Sequence, residues 1–310
     1  MKLGFLYAGQ GSQAPGMGRD LYERYPAFRA VYDGAPVDFD LKETCFAGEH
    51  LNETQYTQPC MVAFAAGVTA LLAEAGIRPA VAAGLSLGEY SALQAAGVWD
   101  APTAVAVAAF RGRAMTEAAA GIDSAMVAVL ALDREKLQQA CDRASSAGVV
   151  SIANYNCPGQ LVIAGERAAV EQAAAYAREL GARRCMPLKT SGPFHTKLLE
   201  PASRALHDYF RTIPFGSMAF PVVFNCLGDV MGPEDTVPAL LERQVMSSVY
   251  MEDTIRRMAA MGVDTFVEIG PGKVLSGFVR KTLDGAETVA ITTADDLEQA
   301  VARLKGADPC

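Results

Sequence analysis

The fold is decided at residues 81–91, whose sequence is VAAGLSLGEYS. The first four residues form a short apolar run of the kind that a parallel sheet buries, and a helix follows at once. Gly84 and Gly88 flank Ser86, and glycine permits a sharp turn between strand and helix. The chain has 28 glycines, so the setting rather than the G-x-S-x-G pattern alone carries the interpretation. It predicts a nucleophilic Ser86 at the carboxyl edge of the sheet, where the helix N-terminus stabilises negative charge.

Short apolar runs alternate with helical segments on both sides of this stretch. Strands are predicted at residues 2–7, 264–269 and 288–291. Apolar residues recur at helical spacing over 18–33, and Thr57-Gln58-Pro59 is typical of the start of another helix. This alternation favours an α/β fold with an open, mostly parallel sheet.

The pattern changes in the middle of the chain. Between residues 123 and 189 the predicted order is strand, helix, strand, strand, helix, strand. This is the order of the ferredoxin-like unit. We therefore predict two domains: a discontinuous α/β core made of residues 1–122 and 190–310, and a small ferredoxin-like domain of residues 123–189 inserted into it.

Composition and charge exclude several classes of protein. The 310 residues are 51% hydrophobic and 20% charged, so the chain can bury a core and is neither disordered nor collagen-like. A net charge of −8 disfavours nucleic acid or an anionic membrane as partner. Seven cysteines without a C-x-x-C pair, and only three histidines, argue against a zinc site or a disulfide framework. We predict a cytoplasmic protein without a membrane segment, metal or cofactor.

A serine nucleophile needs a general base, and histidine is the side chain that titrates near neutral pH. His50 lies in an irregular, charged stretch, and His207 lies on a helix face rich in charge. His195 follows Gly192-Pro193-Phe194 in a loop between the predicted small domain and the next helix, where catalytic groups are common. We predict that His195 is the base of Ser86. The alternative for a lone histidine is a structural role.

The sequence offers no evident carboxylate that could orient the imidazole of His195. Asp100, Asp123 and Asp133 lie between Ser86 and His195 in the chain, and none follows a predicted core strand convincingly. We therefore expect a backbone carbonyl to orient His195.

Gln10 is a candidate on the first strand. Residues 9–14, GQGSQA, formally fit the fingerprint of a dinucleotide site, but Pro15 and Gly16 interrupt the helix that should begin there. A glutamine between glycines at a strand end can instead donate to an oxyanion. Residues 270–273, GPGK, lack the remaining features of a phosphate-binding loop and predict a turn.

Together these motifs resemble the acyltransferase family of malonyl-CoA:acyl carrier protein transacylases. The resemblance covers nearly the whole chain in family order. The matching motifs are GQGSQ (9–13), TQP (57–59), GLSLGEYS (84–91), RG (111–112), NCPGQ (156–160), GPFH (192–195) and EIGPGK (268–273). It implies a hydrolase-like α/β core with a ferredoxin-like insertion, in agreement with the order of elements above.

The resemblance also implies a reaction. A malonyl group would pass from malonyl-CoA to Ser86, and from there to the phosphopantetheine thiol of acyl carrier protein, while His195 moves the protons. Gln10 and the backbone N–H of Leu87 would form the oxyanion hole. Arg111 would bind the free carboxylate of the malonyl group. The resemblance places this reaction in fatty-acid synthesis, by a monomeric enzyme that needs no cofactor.

Three further positions bear on selectivity and orientation. Phe194 resembles the malonyl-selective rather than the methylmalonyl-selective members. Leu85 stands where the family usually has histidine. Leucine occurs at this position in trans-acting polyketide synthase acyltransferases that transfer malonyl, which leaves the pathway open. Tyr250 aligns with a position that is often glutamine, and its carbonyl would orient His195.

Other classes of function remain open at this point. A serine hydrolase, such as an acyl-carrier thioesterase on the same scaffold, would share the turn at Ser86 but has no use for a buried Arg111. An oxidoreductase would use residues 9–11, and a non-catalytic carrier-protein binder would not need both Ser86 and His195. Contact with an acidic carrier protein would require exposed cations, for which the candidates are Arg184, Lys189, Lys197, Arg280 and Lys281.

Overall fold

A computed structural model describes residues 1–190 and 192–306. The strands are β1 (Leu3–Tyr7), β2 (Val81–Gly84), β3 (Ser124–Leu130), β4 (Val150–Cys157), β5 (Gln160–Glu166), β6 (Arg184–Pro187), β7 (Val223–Phe224), β8 (Asp229–Val230), β9 (Thr265–Ile269) and β10 (Glu287–Ile291). The helices are α1 (Arg19–Arg24), α2 (Pro26–Asp33), α3 (Leu41–Ala47), α4 (Thr54–Glu74), α5 (Gly88–Ala95), α6 (Ala101–Ala119), α7 (Arg134–Ala144), α8 (Arg167–Glu179), α9 (Glu200–Phe210), α10 (Val237–Gln244), α11 (Met251–Ala260), α12 (Val274–Thr282) and α13 (Ala294–Gly306).

Two compact units divide the chain. The first unit comprises residues 1–112, 214–224 and 256–310, and the second unit comprises residues 113–213 and 225–255. The second unit thus takes in more of the chain than the small domain predicted at 123–189. That domain boundary stays a prediction, although residues 123–189 do supply a complete sheet of their own.

A four-stranded parallel sheet forms the centre of the first unit. Its order is β10-β9-β1-β2, and every neighbouring pair is parallel. Tyr7 at the end of β1 is level with Gly84 at the end of β2, so the loops that follow the two strands leave the sheet side by side. Parallel sheets carry their binding groups at this carboxyl edge. The sheet therefore brings the segments after Tyr7 and Gly84, which contain Gln10 and Ser86, to one edge.

Helix α4 packs into the core of the first unit. It is long and apolar enough to cross a membrane by composition, but 78% of its most apolar window is buried inside the protein. It begins at Thr54, three residues before the predicted start, so Pro59 lies inside the helix rather than in its first turn. The prediction was wrong because Glu53 supplies the first accepting carbonyl, to the N–H of Thr57. The motif Thr57-Gln58-Pro59 is instead part of a buried helix face.

A four-stranded antiparallel sheet forms the second unit's framework. Its order is β4-β5-β3-β6, with every neighbouring pair antiparallel. Helices α7 and α8 close one face over a buried apolar cluster that includes Val129, Leu137, Ile163 and Val170. Strand and helix order agree with the ferredoxin-like prediction, and the α/β fold class is confirmed.

Other differences from the predicted elements are local. The helix expected over 18–33 is two helices, because Tyr25 adopts an extended backbone before Pro26, and a residue preceding proline disfavours the helical region. Helix α3 had no sequence prediction. Its start is nonetheless visible in hindsight, since Asp40 caps the N–H of Glu43 at 3.0 Å.

Candidate active site

The turn between β2 and α5 is packed too tightly for any residue other than glycine at two positions. A Cβ on Gly84 would lie 2.0 Å from the carbonyl carbon of Gly88, and a Cβ on Gly88 would lie 2.1 Å from the carbonyl oxygen of Tyr7. Between them Ser86 has φ +52°, a left-handed conformation that L residues rarely adopt. Such strain is kept where surrounding structure enforces it, which is common at active sites. The sheet edge therefore holds Ser86 in a fixed, strained position.

Gly88→Ala should lower the free energy of unfolding by about 2–3 kcal/mol, because the added methyl group must displace the backbone of β1. Gly277→Ala is the matched control. Gly277 lies inside α12 with no atom within 4 Å of an added Cβ, so alanine should stabilise the protein by about 0.5–1 kcal/mol. Urea unfolding measures both changes. Equal effects from the two substitutions would show that the packing at Gly88 is not what demands glycine.

Two groups near this turn are arranged as hydrogen-bond donors. The N–H groups of Gly88, Glu89 and Tyr90 donate within the turn, whereas none of the described residues accepts from the N–H of Leu87. The Gln10 amide nitrogen donates to Thr54 Oγ1 at 2.9 Å, and its oxygen accepts from Gln58 at 3.4 Å. These bonds fix the amide and leave its second N–H available.

Arg111 is buried beside the serine. It is 1% exposed, and its Nη2 lies 3.1 Å from Ser86 Oγ. The guanidinium carbon is 5.0 Å from the centre of the Tyr90 ring, within cation–π range. A Cβ on Gly112 would lie 2.8 Å from the carbonyl oxygen of Thr54, so this glycine lets α6 approach α4 closely. The Arg111 side chain is thus enclosed in the core.

Burial also sets the electrostatics of Arg111. Desolvation lowers the pKa of its guanidinium, and the neighbouring Tyr90 and Glu89 oppose that shift. A guanidinium nevertheless stays protonated at neutral pH. The serine hydroxyl therefore faces a buried positive charge, which is a strong receptor for a carboxylate.

His195 lies in the second unit and is 4% exposed. Its Nδ1 is 3.0 Å from the carbonyl oxygen of Gln244 and 3.2 Å from that of Ser247, while its backbone N–H donates to the carbonyl of Val245. Carbonyl oxygens only accept, so Nδ1 must carry the proton and Nε2 keeps its lone pair. This is the tautomer that a general base requires.

The end of α10 explains this arrangement. The helix ends at Gln244, and the last carbonyls of a helix have no partner within it. The carbonyl of Gln244, together with that of Ser247 just beyond the helix, accepts from His195 Nδ1 instead, and this fixes the orientation of the imidazole ring. In a Ser-His-Asp triad a carboxylate orients the histidine in a comparable way.

The role predicted for Tyr250 is wrong. A backbone carbonyl does hold the imidazole, but the carbonyls in contact belong to Gln244 and Ser247. The carbonyl of Tyr250 accepts from the N–H of Thr254 at the start of α11, and is therefore engaged in that helix. Gln244 is the last residue of α10, where the final carbonyls of the helix need donors from outside it.

The remaining histidines and Phe194 lie where the sequence placed them. His50 and His207 are exposed and contact surface carboxylates, at 2.5 Å from Glu53 and 3.1 Å from Glu242. Phe194 is buried next to His195. The structure thus places Ser86, Leu87, Gln10 and Arg111 in the first unit, and His195, Phe194 and Tyr250 in the second.

A serine at a strained strand-to-helix turn of a parallel sheet, next to preorganised donors, is how α/β enzymes carry out acyl transfer through a serine ester. The chain has the fold and the turn of that class. Sequence comparison gives the family: residues 4–303 match the model of the acyl transferase domain, and the chain belongs to this family.

Individual relatives agree with this assignment. The chain is 41% identical over 309 residues to the malonyl CoA-acyl carrier protein transacylase of Bacillus subtilis, covering 98% of each chain. The crystal structure of malonyl CoA-acyl carrier protein transacylase from Clostridium perfringens superposes with a TM-score of 0.95 at 37% identity, covering 99% of this chain and 98% of the other. A further structure, of a type II polyketide synthase acyl-carrier protein in complex with its malonyl-transacylase, matches with a TM-score of 0.94 at 34% identity, covering 98% of this chain and 100% of the other.

Proposed function

We propose that this chain is an acyl-carrier-protein S-malonyltransferase, which moves a malonyl group from malonyl-CoA to the phosphopantetheine thiol of acyl carrier protein. The observation that carries the proposal is the buried Arg111 guanidinium 3.1 Å from Ser86 Oγ. An acyl group attached to Ser86 would meet a receptor for a second, free carboxylate, and malonyl has one. The names of its close relatives support the same activity.

The mechanism has two halves. Ser86 Oγ attacks the thioester carbonyl of malonyl-CoA while His195 Nε2 takes the hydroxyl proton. The tetrahedral intermediate collapses, the C–S bond breaks, and the proton returns to the sulfur of CoA as it leaves. The thiol of acyl carrier protein then gives its proton to His195, its sulfur attacks the malonyl-serine ester, and the regenerated Ser86 takes the proton back.

Negative charge develops on the carbonyl oxygen in both halves. The free N–H of Leu87 and the second N–H of the Gln10 amide are the donors that we assign to it. Both are held by the structure before substrate binds, which is what makes such donors effective. The bonds from Gln10 to Thr54 and from Gln58 to Gln10 hold the amide in place.

Intact mass spectrometry tests the proposal directly. Malonyl-CoA should add one malonyl group to the protein, and holo acyl carrier protein should remove it while becoming malonylated itself. A serine hydrolase on the same scaffold would release free acid at the same rate with or without the carrier protein. Absence of both an adduct and a transfer product would disprove the proposed activity.

His195→Ala should lower the rate of acyl-enzyme formation by about 10²–10⁴-fold, because the general base is lost. His207→Ala is the matched control, since His207 is an exposed histidine of the same unit that contacts only a surface carboxylate among the described residues. Stopped-flow release of CoA measures both. Near-normal rates in His195→Ala together with a loss in His207→Ala would reverse the assignment.

The proposal also covers the pathway in which the enzyme acts, its partners and its compartment. We place the enzyme in fatty-acid synthesis, in the cytoplasm, acting as a monomer on CoA and carrier-protein substrates. The structural match to a polyketide malonyl-transacylase keeps a trans-acting polyketide enzyme as the second candidate. Comparing the apparent KM for fatty-acid and polyketide carrier proteins from the same organism separates the two. The five carrier-docking cations predicted above are all exposed, and Arg280 also donates to Thr288 Oγ1 at 2.9 Å.

A further inference from the structure

A row of three aromatic rings in the first unit begins at the Arg111 guanidinium. The guanidinium carbon lies over the Tyr90 ring, 5.0 Å from its centre. Tyr90 stacks on Trp99, with the ring centres 6.2 Å apart and the ring planes 16° from parallel. Trp99 in turn contacts Phe215, with ring centres 5.0 Å apart. Tyr90 and Trp99 are buried and Phe215 is half-buried, so the cation lies at the inner end of this aromatic row.

The aromatic row is fixed at two points. Tyr90 belongs to the first turn of α5, and its N–H donates to the carbonyl of Leu87 at 3.0 Å, within the turn that carries Ser86. Trp99 Nε1 donates to the carbonyl of Pro214 at 3.2 Å. The position of the Tyr90 ring is therefore set by the helix start that also positions Ser86, and by the anchored Trp99 behind it.

A ring and a carboxylate stabilise a buried guanidinium in different ways. A guanidinium that has lost its water needs compensation from its neighbours. A carboxylate compensates by accepting the N–H groups in the guanidinium plane, which are the same groups that would bind the carboxylate of a substrate. An aromatic ring compensates through its negative face and contacts the flat face of the guanidinium. The Tyr90 ring can thus stabilise the charge while Arg111 Nη2 stays 3.1 Å from Ser86 Oγ.

We propose that Tyr90 is a positioning residue for Arg111: its ring, backed by Trp99, holds the guanidinium in the orientation that receives the malonyl carboxylate beside Ser86. The inference rests on the proposed function, because that function gives Arg111 a carboxylate to bind. Tyr90 acts through Arg111 and not on the reacting atoms. Loss of its ring should therefore affect acyl groups that carry a free carboxylate and spare those that do not.

Tyr90→Leu removes the ring and keeps an apolar side chain. It should lower kcat/KM for acyl-enzyme formation from malonyl-CoA by about 10–30-fold, the range expected for losing a desolvated cation–π contact, and change that from acetyl-CoA by less than about twofold. Tyr90→Phe keeps the ring and should bring the malonyl value back to within about threefold of wild type. Release of CoA, measured with each donor, gives both values. Equal losses with the two donors would overturn the proposal.

A double-mutant cycle tests whether Tyr90 acts through Arg111. In an Arg111→Ala background, Tyr90→Leu should lower the malonyl rate no further, because no guanidinium is left to position. Additive losses would show that Tyr90 acts on the Ser86 turn itself and would overturn the proposal. An unchanged malonyl rate in Tyr90→Leu alone would also overturn it, since another neighbour of Arg111, such as Glu89, would then hold the guanidinium.

Phe64→Leu is the matched control. Phe64 is a fully buried aromatic residue of α4 in the same unit, and it packs against Phe28 outside the aromatic row. Its replacement should lower the urea midpoint as Tyr90→Leu does, followed by the fluorescence of Trp99, the only tryptophan of the chain, and should leave the acetyl-to-malonyl ratio unchanged. A change of this ratio in Phe64→Leu as large as in Tyr90→Leu would overturn the proposal, because general loosening of the core would then explain both. Failure of the wild-type protein to take malonyl from malonyl-CoA would instead refute the proposed function.

Discussion

Ser86→Ala is expected to abolish the malonyl-enzyme and to lower the transfer rate by at least about 10⁴-fold, since the hydroxyl proposed to form the ester is lost. The fold should persist, because the strained turn depends on Gly84 and Gly88, and alanine at φ +52° is no more strained than serine. We expect the free energy of unfolding to change by less than about 0.5–1 kcal/mol. Intact mass after mixing with malonyl-CoA, together with urea unfolding, measures both quantities.

Ser91→Ala provides a control within the same motif. Ser91 is 2% exposed and lies on α5, five residues after Ser86, so its replacement perturbs the same helix without touching the turn. It should form the malonyl adduct at nearly the wild-type rate. A malonyl adduct that persists on Ser86→Ala would remove Ser86 as the nucleophile, and peptide mapping would then locate the group that replaces it.

The first half of the site could be predicted because it is encoded locally. A buried strand, two glycines and a helix start follow one another within residues 81–88, and each determines the conformation of its neighbour. The same stretch fixes the position of Ser86 at the sheet edge through the parallel pairing of β1 and β2. Short-range signals of this kind are the ones that a single sequence carries.

The anchoring of His195 could not be predicted at residue level, because it depends on distant carbonyls. Gln244 and Ser247 follow His195 by 49 and 52 residues, and a backbone carbonyl leaves no trace in the side-chain sequence. Alignment by motif therefore chose Tyr250, whose carbonyl belongs to α11. The physical reason for this anchoring is the end of α10, where carbonyls without helical partners require donors.

The start of α4 was predicted three residues too late for a related reason. Proline favours the first turn of a helix but does not exclude a later position when tertiary packing holds the helix together. In α4 the burial of nearly every residue from Thr57 to Val68 outweighs the hydrogen bond lost at Pro59. Packing of this kind is a property of the whole unit, which local sequence signals do not include.

In the proposed reaction, the burial of Arg111 would convert its charge into selectivity for an acyl group with a free carboxylate. Its guanidinium is desolvated before any substrate binds, so a carboxylate that arrives gains hydrogen bonds in surroundings of low dielectric constant. An acetyl group brings no carboxylate and gains none of this. Methylmalonyl keeps the carboxylate and adds one methyl group, so discrimination against it should be only about 1–3 kcal/mol, from the shape of the pocket.

Arg111→Ala should therefore lower kcat/KM for malonyl transfer by about 10²–10³-fold, as expected for the loss of one partner from a buried charge pair. The acetyl-to-malonyl activity ratio should rise by a similar factor, because acetyl never used the guanidinium. Arg111→Lys should be intermediate: it keeps the charge but cannot form two parallel bonds to a carboxylate. The alternative is a structural ion pair with the buried Glu89, which already affects the pKa of Arg111. In that case Arg111→Ala would lower the melting temperature severely and leave the acetyl-to-malonyl ratio of the residual activity unchanged.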